Sequence, residues 1–155
     1  MLHQLTCEVN QISGSQASRS IAKQRKIASS FRDSVLYEIF QISREFLQEG
    51  LESLKNSSFQ DSKDHQTLIN NLLRLSLSCL SFDFIGTSPD ESSDDLTTVQ
   101  IPTNWKPAFL DNNTLQLYFD LYSVLPTSLA SLVCLVIHMY LYVHTVIYFY
   151  PLLFI

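Results

Sequence analysis

Residues 31–48 read FRDSVLYEIFQISREFLQ, and this stretch decides the class of fold. At about 100° per residue, five of its apolar side chains fall in one narrow stripe along a helix: Phe31, Val35, Ile39, Ile42 and Phe46. Three more widen that stripe to half the circumference: Leu36, Phe40 and Leu47. Ser30 is a suitable N-cap and Gly50 a stop signal. We therefore predict an amphipathic helix from Phe31 to about Gln48, whose apolar side must be covered by other helices.

The same apolar periodicity recurs along the chain. Further helices are predicted from about Asp64 or His65 to Leu80, from Asp111 or Asn112 through Leu125, and from Ser128 or Leu129 onward. Residues 1–11 read as the end of a helix, and residues 12–26 as a flexible loop. Helix pairs recur at about 40–47 residues, which is typical of HEAT-like repeats. The predicted fold is all-α, with HEAT-like antiparallel helix pairs of an α-solenoid.

Residues 82–107 are predicted to form a long irregular connection, with a short extended piece at Leu96–Ile101. Connections of this length are uncommon in compact domains and are often functional. Four of its acids are candidates for contact with a basic partner surface: Asp90, Glu91, Asp94 and Asp95. The alternative is a solvated loop. Three serines beside these acids are candidate phosphorylation sites, which would add negative charge: Ser88, Ser92 and Ser93.

Composition limits the classes of function. The net charge of -5 argues against a nucleic-acid-binding protein, which usually carries a basic footprint. The three cysteines are far apart, and the three glycines are isolated, so neither a metal site nor a phosphate-binding loop is predicted. We find no nucleophile motif and no pair of carboxylates placed for acid–base chemistry. The sequence predicts no catalytic, cofactor-binding or metal-ligating residue.

Three smaller features have a functional and a structural interpretation. Lys23, Arg25 and Lys26 resemble a nuclear-localisation patch. The alternative interpretation is a solvated loop, because three charges are few for such a patch. His138 and His144 lie about 120° apart on a helix, so they do not form a metal pair. Trp105 is expected to anchor the long connection onto the helices, because a tryptophan buries a large area.

Three blocks of sequence, in order, resemble one known family. They are KQRKIASSFRDS (Lys23–Ser34), FDFIGTSPDESSDDLTTVQIPTNW (Phe82–Trp105) and FLDNNTLQLYFDLYSVLP (Phe109–Pro126). Each is similar to a segment in the N-terminal part of the nuclear transport receptors that include exportin-7 and Ran-binding protein 17. The resemblance covers roughly residues 4–133, and those receptors are much longer.

The resemblance implies a HEAT solenoid of the importin-β superfamily. Such receptors bind Ran in its GTP form and protein cargo, contact nuclear pore proteins, and shuttle between nucleus and cytoplasm. They carry out no covalent chemistry. Coupling between Ran and cargo binding is reciprocal in free energy. An isolated piece with so few repeats is expected to be marginally folded or prone to aggregate, because solenoid stability needs at least about 3 repeats with capping ends.

The C-terminal residues depart from this resemblance. No Lys, Arg, Asp or Glu follows Asp120. We therefore separate a partial HEAT-repeat region, residues 1–128, from an apolar tail, residues 129–155. The tail is long enough to span a bilayer; the other interpretations are a core-packed helix and the product of a truncated or mis-spliced gene. The alternative functions are accordingly a tail-anchored membrane protein with a helical cytosolic part, and a non-functional truncated product.

Overall fold

The computed structural model of the chain describes residues 1–13, 21–56, 63–82 and 101–149. Within these ranges every regular element is helical. The elements are α1 (Leu2–Ser13), α2 (Ile21–Phe31), a π-helical turn (Arg32–Leu36), α3 (Tyr37–Asn56), α4 (Lys63–Leu80), a 3₁₀ turn (Thr103–Trp105), α5 (Lys106–Leu110), α6 (Asn112–Val124) and α7 (Thr127–Phe149). The fold is all-α, as the periodicity predicts.

The helices form two layers. In one layer α3 packs against α6, and in the other α4 lies between α1 and α7. Across the layers α3 pairs with α4, and α6 pairs with α7. Each pair joins one helix of each layer, which is the arrangement of a HEAT-like solenoid. Helix α1 packs on α2 and α4, so it takes the position of the second helix of a preceding pair.

Helices α2 and α3 correct the predicted start and end of the first amphipathic helix. The chain is helical from Ile21, within the segment predicted to be a loop, and it continues through the π-helical turn without a break at Phe31. Helix α3 also runs past Gly50 to Asn56. A helical glycine costs only about 1 kcal/mol relative to alanine. Gly50 is buried beside Ile69 of α4, and tertiary packing of this kind outweighs the glycine stop signal.

The apolar half of α3 is only partly covered. The buried side chains lie along one side of the predicted stripe: Leu36, Ile39, Phe40, Leu47 and Leu51. Val35, Ile42 and Phe46 are exposed, contrary to the prediction that the whole stripe is covered. The reason is that α4 and α6 contact α3 from one side only within the described part of the chain.

The end of the long connection is also more regular than predicted. Residues 103–107 of the predicted irregular chain form the 3₁₀ turn and the start of α5, which ends at Leu110. Pro107 lies in the first turn of α5, where its missing N–H has no helical partner to lose. Ile101 carries no regular structure, and the rest of the predicted extended piece, residues 96–100, lies outside the described residues.

Helices α4 and α6 agree with the prediction to within a residue or two, and α7 begins at Thr127. Helix α7 packs one face on α4 and α6. The buried positions of that face are Val133, Val136, Tyr140 and Val143. Its opposite face leaves Leu135, Leu141 and Tyr142 exposed. The described part of the apolar tail is therefore integrated into the second layer through one face of α7.

Candidate partner interface

Two polar contacts join α3 to α6. They help to fix how the helix pair α6–α7 is placed on the pair α3–α4. Arg44 Nη1 donates to Asp111 Oδ2 and to Thr114 Oγ1, at 3.0 Å in both cases. Asp111 also caps α6, because its Oδ1 accepts a hydrogen bond of 3.0 Å from the backbone N–H of Asn113. The Asp111 carboxylate thus caps the N-terminus of α6 and also binds Arg44 in the middle of α3.

The second contact lies about three turns further along α3 and about two and a half turns further along α6. Lys55 Nζ lies 2.7 Å from Asp120 Oδ2, and Gln116 Nε2 donates to Asp120 Oδ1 at 2.7 Å. Hydrogen bonds from Lys55 and then from Gln116 lower the pKa of Asp120, because both stabilise the ionised form. Asp120 therefore remains charged at neutral pH and holds α6 beside α3.

An aromatic cluster anchors the C-terminal end of the long connection to the helices. Trp105 is fully buried, as predicted for an anchor, and its ring centroid lies 5.4 Å from those of Tyr37 and Phe40. Phe109 continues the cluster toward Tyr140 of α7, with ring centroids 4.8 Å apart. The Tyr140 hydroxyl donates to the carbonyl oxygen of Ala108 at 3.0 Å. The cluster thus joins α3, α5 and α7, and it positions the α3–α6 surface.

A groove of about 400 Å³ lies on the outer side of α3 and α6. Five of its six described lining residues are polar or charged, namely Arg44, Glu45, Gln48, Glu49 and Asn113, and the sixth is Leu117. Arg44 is held by Asp111, so the charge that the groove presents comes from Glu45 and Glu49.

Those two glutamates belong to an acidic ridge along α3. The ridge comprises four exposed side chains, Glu38, Glu45, Glu49 and Glu52. At about 100° per residue they lie within about 60° of one another around the helix. The ion pairs of the described residues involve other acids, namely Asp33, Asp111 and Asp120. The ridge therefore presents uncompensated negative charge toward solvent, and a basic surface is its natural complement.

Most of the candidate residues predicted from the sequence cannot be placed relative to this surface, because the structure does not describe them. The acidic candidates Asp90, Glu91, Asp94 and Asp95 and the serines Ser88, Ser92 and Ser93 lie outside the described residues. Of the basic cluster, Lys26 is exposed at a position that is helical and not in a loop. His138 is exposed and His144 half-buried; among the described residues no three His, Cys, Asp or Glu side chains come close enough to hold a metal ion.

The α3 ridge and the α3–α6 joint were missed from the sequence. Glu38, Arg44 and Glu45 all lie within the helix predicted from Phe31 to about Gln48, outside its apolar stripe, and the later helix was predicted to start at Asp111 or Asn112. The periodicity gave no means of pairing Arg44 with a residue 67 positions away. The recurrence of four glutamates at one angular position was the available signal for the ridge.

One helix in the described part of the chain is long and apolar enough to cross a bilayer, over Thr127–Thr145. Of this window 22% is buried within the fold. Core helices of soluble proteins meet the same criterion of length and composition, so α7 qualifies by these properties alone.

Comparison with known proteins finds close relatives. The chain is 53% identical over 131 residues to Ran-binding protein 16 of Drosophila melanogaster, and 54% identical over 138 residues to exportin-7-A of Xenopus laevis. It is 48% identical over 138 residues to Ran-binding protein 17 of Mus musculus. These matches cover 84%, 88% and 88% of the chain.

The chain spans about 12% of the length of each of these relatives. No family model matches the chain, and no solved structure matches it. Identity at this level over most of the chain agrees with the resemblance seen in the three sequence blocks and with the HEAT-like layers. The chain therefore belongs to the family of exportin-7 and Ran-binding proteins 16 and 17.

Proposed function

We propose that the chain forms part of a nuclear export receptor that binds Ran in its GTP form and protein cargo. The observation that carries this proposal is the identity of 46–54% with proteins named exportin-7 and Ran-binding proteins 16 and 17. The stacked helix pairs support it, because solenoids of this kind present extended surfaces for partners. The corresponding location is nucleus and cytoplasm, with passage through nuclear pores and contact with their proteins.

The proposed mode of action is binding and not catalysis. Burial raises the pKa of the Cys79 thiol and of the Tyr118 phenol, so both groups stay protonated at neutral pH. The thiolate is the reactive form of cysteine. Both side chains are fully buried between the layers, where they serve as packing residues.

The acidic ridge of α3 is the surface that we assign to partner contact. A partner with a basic patch would associate faster through electrostatic steering toward the ridge. The groove beside the ridge would provide a concave surface for the contact. The predicted acidic residues of the connection, Asp90, Glu91, Asp94 and Asp95, would extend the same negative field. Phosphorylation at Ser88, Ser92 or Ser93 would strengthen it. A phosphopeptide map without these sites would remove that part of the proposal.

Charge reversal on the ridge tests the assignment. The variant Glu45→Lys/Glu49→Lys should weaken binding of Ran loaded with a non-hydrolysable GTP analogue by about tenfold, mainly through a slower association rate. The matched control, Glu8→Lys/Asp64→Lys, makes the same charge change at exposed sites on α1 and α4. Equal loss in both variants would assign the effect to net charge, and unchanged binding in the ridge variant would remove the ridge from the interface.

A second candidate function rests on α7. A tail-anchored membrane protein would use Thr127–Thr145 as its span, and the exposed apolar face of α7 favours that alternative. Its test is fractionation of cells that express the chain. Retention in the membrane pellet after carbonate extraction supports the anchor, and recovery in the soluble extract rejects it.

A further inference from the structure

Arg44 belongs to two features of the molecule at once. Its Nη1 donates to Asp111 Oδ2 and to Thr114 Oγ1 where α3 meets α6, at 3.0 Å in both cases. Its side chain, which is 26% exposed, also lines the groove beside that contact, together with Glu45 and Glu49. A single cation therefore lies between one carboxylate that joins the helices and two carboxylates of the groove.

The position of the Arg44 guanidinium decides how much negative charge the groove presents. Glu45 and Glu49 are exposed, and the ion pairs of the described residues do not include either of them. A guanidinium that turned toward the groove would cancel part of their charge, and a basic partner would then meet a weaker attraction. The Thr114 hydroxyl is neutral, so it cannot replace Asp111 in compensating the cation.

We propose that Asp111 sets the affinity of the groove for basic partners by holding the Arg44 cation away from the two groove glutamates. Asp111 is not among the described residues that line the groove, so it is a positioning residue that acts through Arg44. This role rests on the proposed contact between the acidic ridge and a basic patch of a partner. It means that Arg44 and a cationic side chain of the partner compete for the same carboxylates.

The competition links partner binding to the placement of α6 on α3. A cationic side chain bound at the groove glutamates repels the Arg44 guanidinium and so favours its pair with Asp111. That pair ties the capped N-terminus of α6 to α3, so a bound basic segment should stabilise this contact between the helix pairs. Because such coupling is reciprocal, loss of the pair should weaken binding of the basic segment.

Conservative variants separate this role of Asp111 from its role in folding. Asp111→Asn removes the charge but keeps a residue that caps helices about as well as aspartate does. Arg44→Met removes the cation and keeps an unbranched stem. The matched control is Asp120→Asn, which makes the same charge change on α6 and breaks the ion pair with Lys55, a cation that is not among the described lining residues of the groove. Circular dichroism confirms that each variant keeps its helices.

The experiment measures binding of a fluorescent hexa-arginine peptide to the wild-type chain, to each variant and to the double variant Arg44→Met/Asp111→Asn. We expect Asp111→Asn to weaken binding by about threefold, the effect of one unit charge about 6 Å away in water. Asp120→Asn should change it by less than about 1.5-fold, because salt screens exposed charges that lie further from the groove. Arg44→Met should tighten binding by about threefold in the Asp111→Asn background and by less than about 1.5-fold in the wild type, since only the loss of Asp111 lets the guanidinium enter the groove.

An equal effect of Arg44→Met in both backgrounds would show that the charges act independently, and it would overturn the proposal. Unchanged binding in Asp111→Asn, or an equal loss in Asp120→Asn, would overturn it as well. The ridge variant Glu45→Lys/Glu49→Lys tests the proposed function separately. If it loses affinity while Asp111→Asn does not, only the role of Asp111 is wrong; if it binds the peptide as the wild type does, or if the wild type does not bind, the acidic contact surface is wrong too.

Discussion

Arg44 and Asp111 form an ion pair of 3.0 Å that ties the middle of α3 to the first turn of α6. The same Asp111 carboxylate caps α6 through the N–H of Asn113. The step between successive helix pairs therefore depends on one side chain that also decides where α6 begins. Both members of the pair are partly exposed, so solvent weakens their attraction. Arg44 Nη1 also donates to Thr114 Oγ1, and this second hydrogen bond helps to hold the guanidinium in place.

Removing Asp111 should cost more stability than removing its ion-pair partner. Asp111→Ala loses the helix cap, worth about 1 kcal/mol, as well as the pair with Arg44. Arg44→Met loses the pair, worth about 0.5–1 kcal/mol for a partly exposed contact. Urea unfolding of the single and double variants gives the coupling free energy. Additive losses would show that the two side chains do not interact, and Arg74→Met on the exposed side of α4 is the control.

Trp105 should be the most costly single truncation in the fold. It is fully buried between Tyr37, Phe40 and Phe109, so Trp105→Ala leaves a large cavity and should lower the free energy of unfolding by about 3–5 kcal/mol. Leu110→Ala, at a site 63% exposed nearby, should change it by less than about 0.5 kcal/mol. Urea unfolding followed by circular dichroism measures both. Comparable losses would contradict the role of Trp105 as the anchor.

Asp120 should make stability depend on acid. Its pKa is lowered in the folded chain, by Lys55 first, from an ordinary value of 3.8. The contribution of Asp120 to the free energy of unfolding is therefore fully present when the pH is above the pKa of the unfolded chain. It is lost as the pH falls through the lower pKa of the folded chain. Asp120→Asn should flatten the decline of the urea midpoint below about pH 4, because it removes the carboxylate that Lys55 contacts. Parallel declines in the wild type and Asp120→Asn would contradict the assignment.

How far the sequence predicts this fold depends on the element. Regular apolar spacing placed α4 and α6 closely, because their signals are local, and Asp111 and Pro126 bound α6 at its two ends. Trp105 was predicted as an anchor from its size alone. Helix α2 was missed because serines and basic residues there resemble a loop, although packing on α1 makes the segment helical.

The candidate surface was less accessible from sequence. The acids chosen lay in the connection, where negative charge is consecutive, whereas the α3 glutamates are spread over 15 positions and gather only through the helical turn. The exposure of Phe46 within the described part of the chain was likewise hidden, because periodicity shows which side chains are apolar and not which neighbour covers them. Pairing across distant positions, as for Arg44 and Asp111, needs the three-dimensional arrangement.

The most direct test of the proposed function is the nucleotide dependence of Ran binding by the unmodified 155-residue chain. Immobilised chain is titrated with Ran carrying a non-hydrolysable GTP analogue and, separately, with Ran carrying GDP. We expect the GTP form to bind at least about tenfold more tightly, a difference of about 1.4 kcal/mol. Equal affinity for the two forms, or binding of neither, would contradict the assignment of Ran recognition to this part of the family's solenoid.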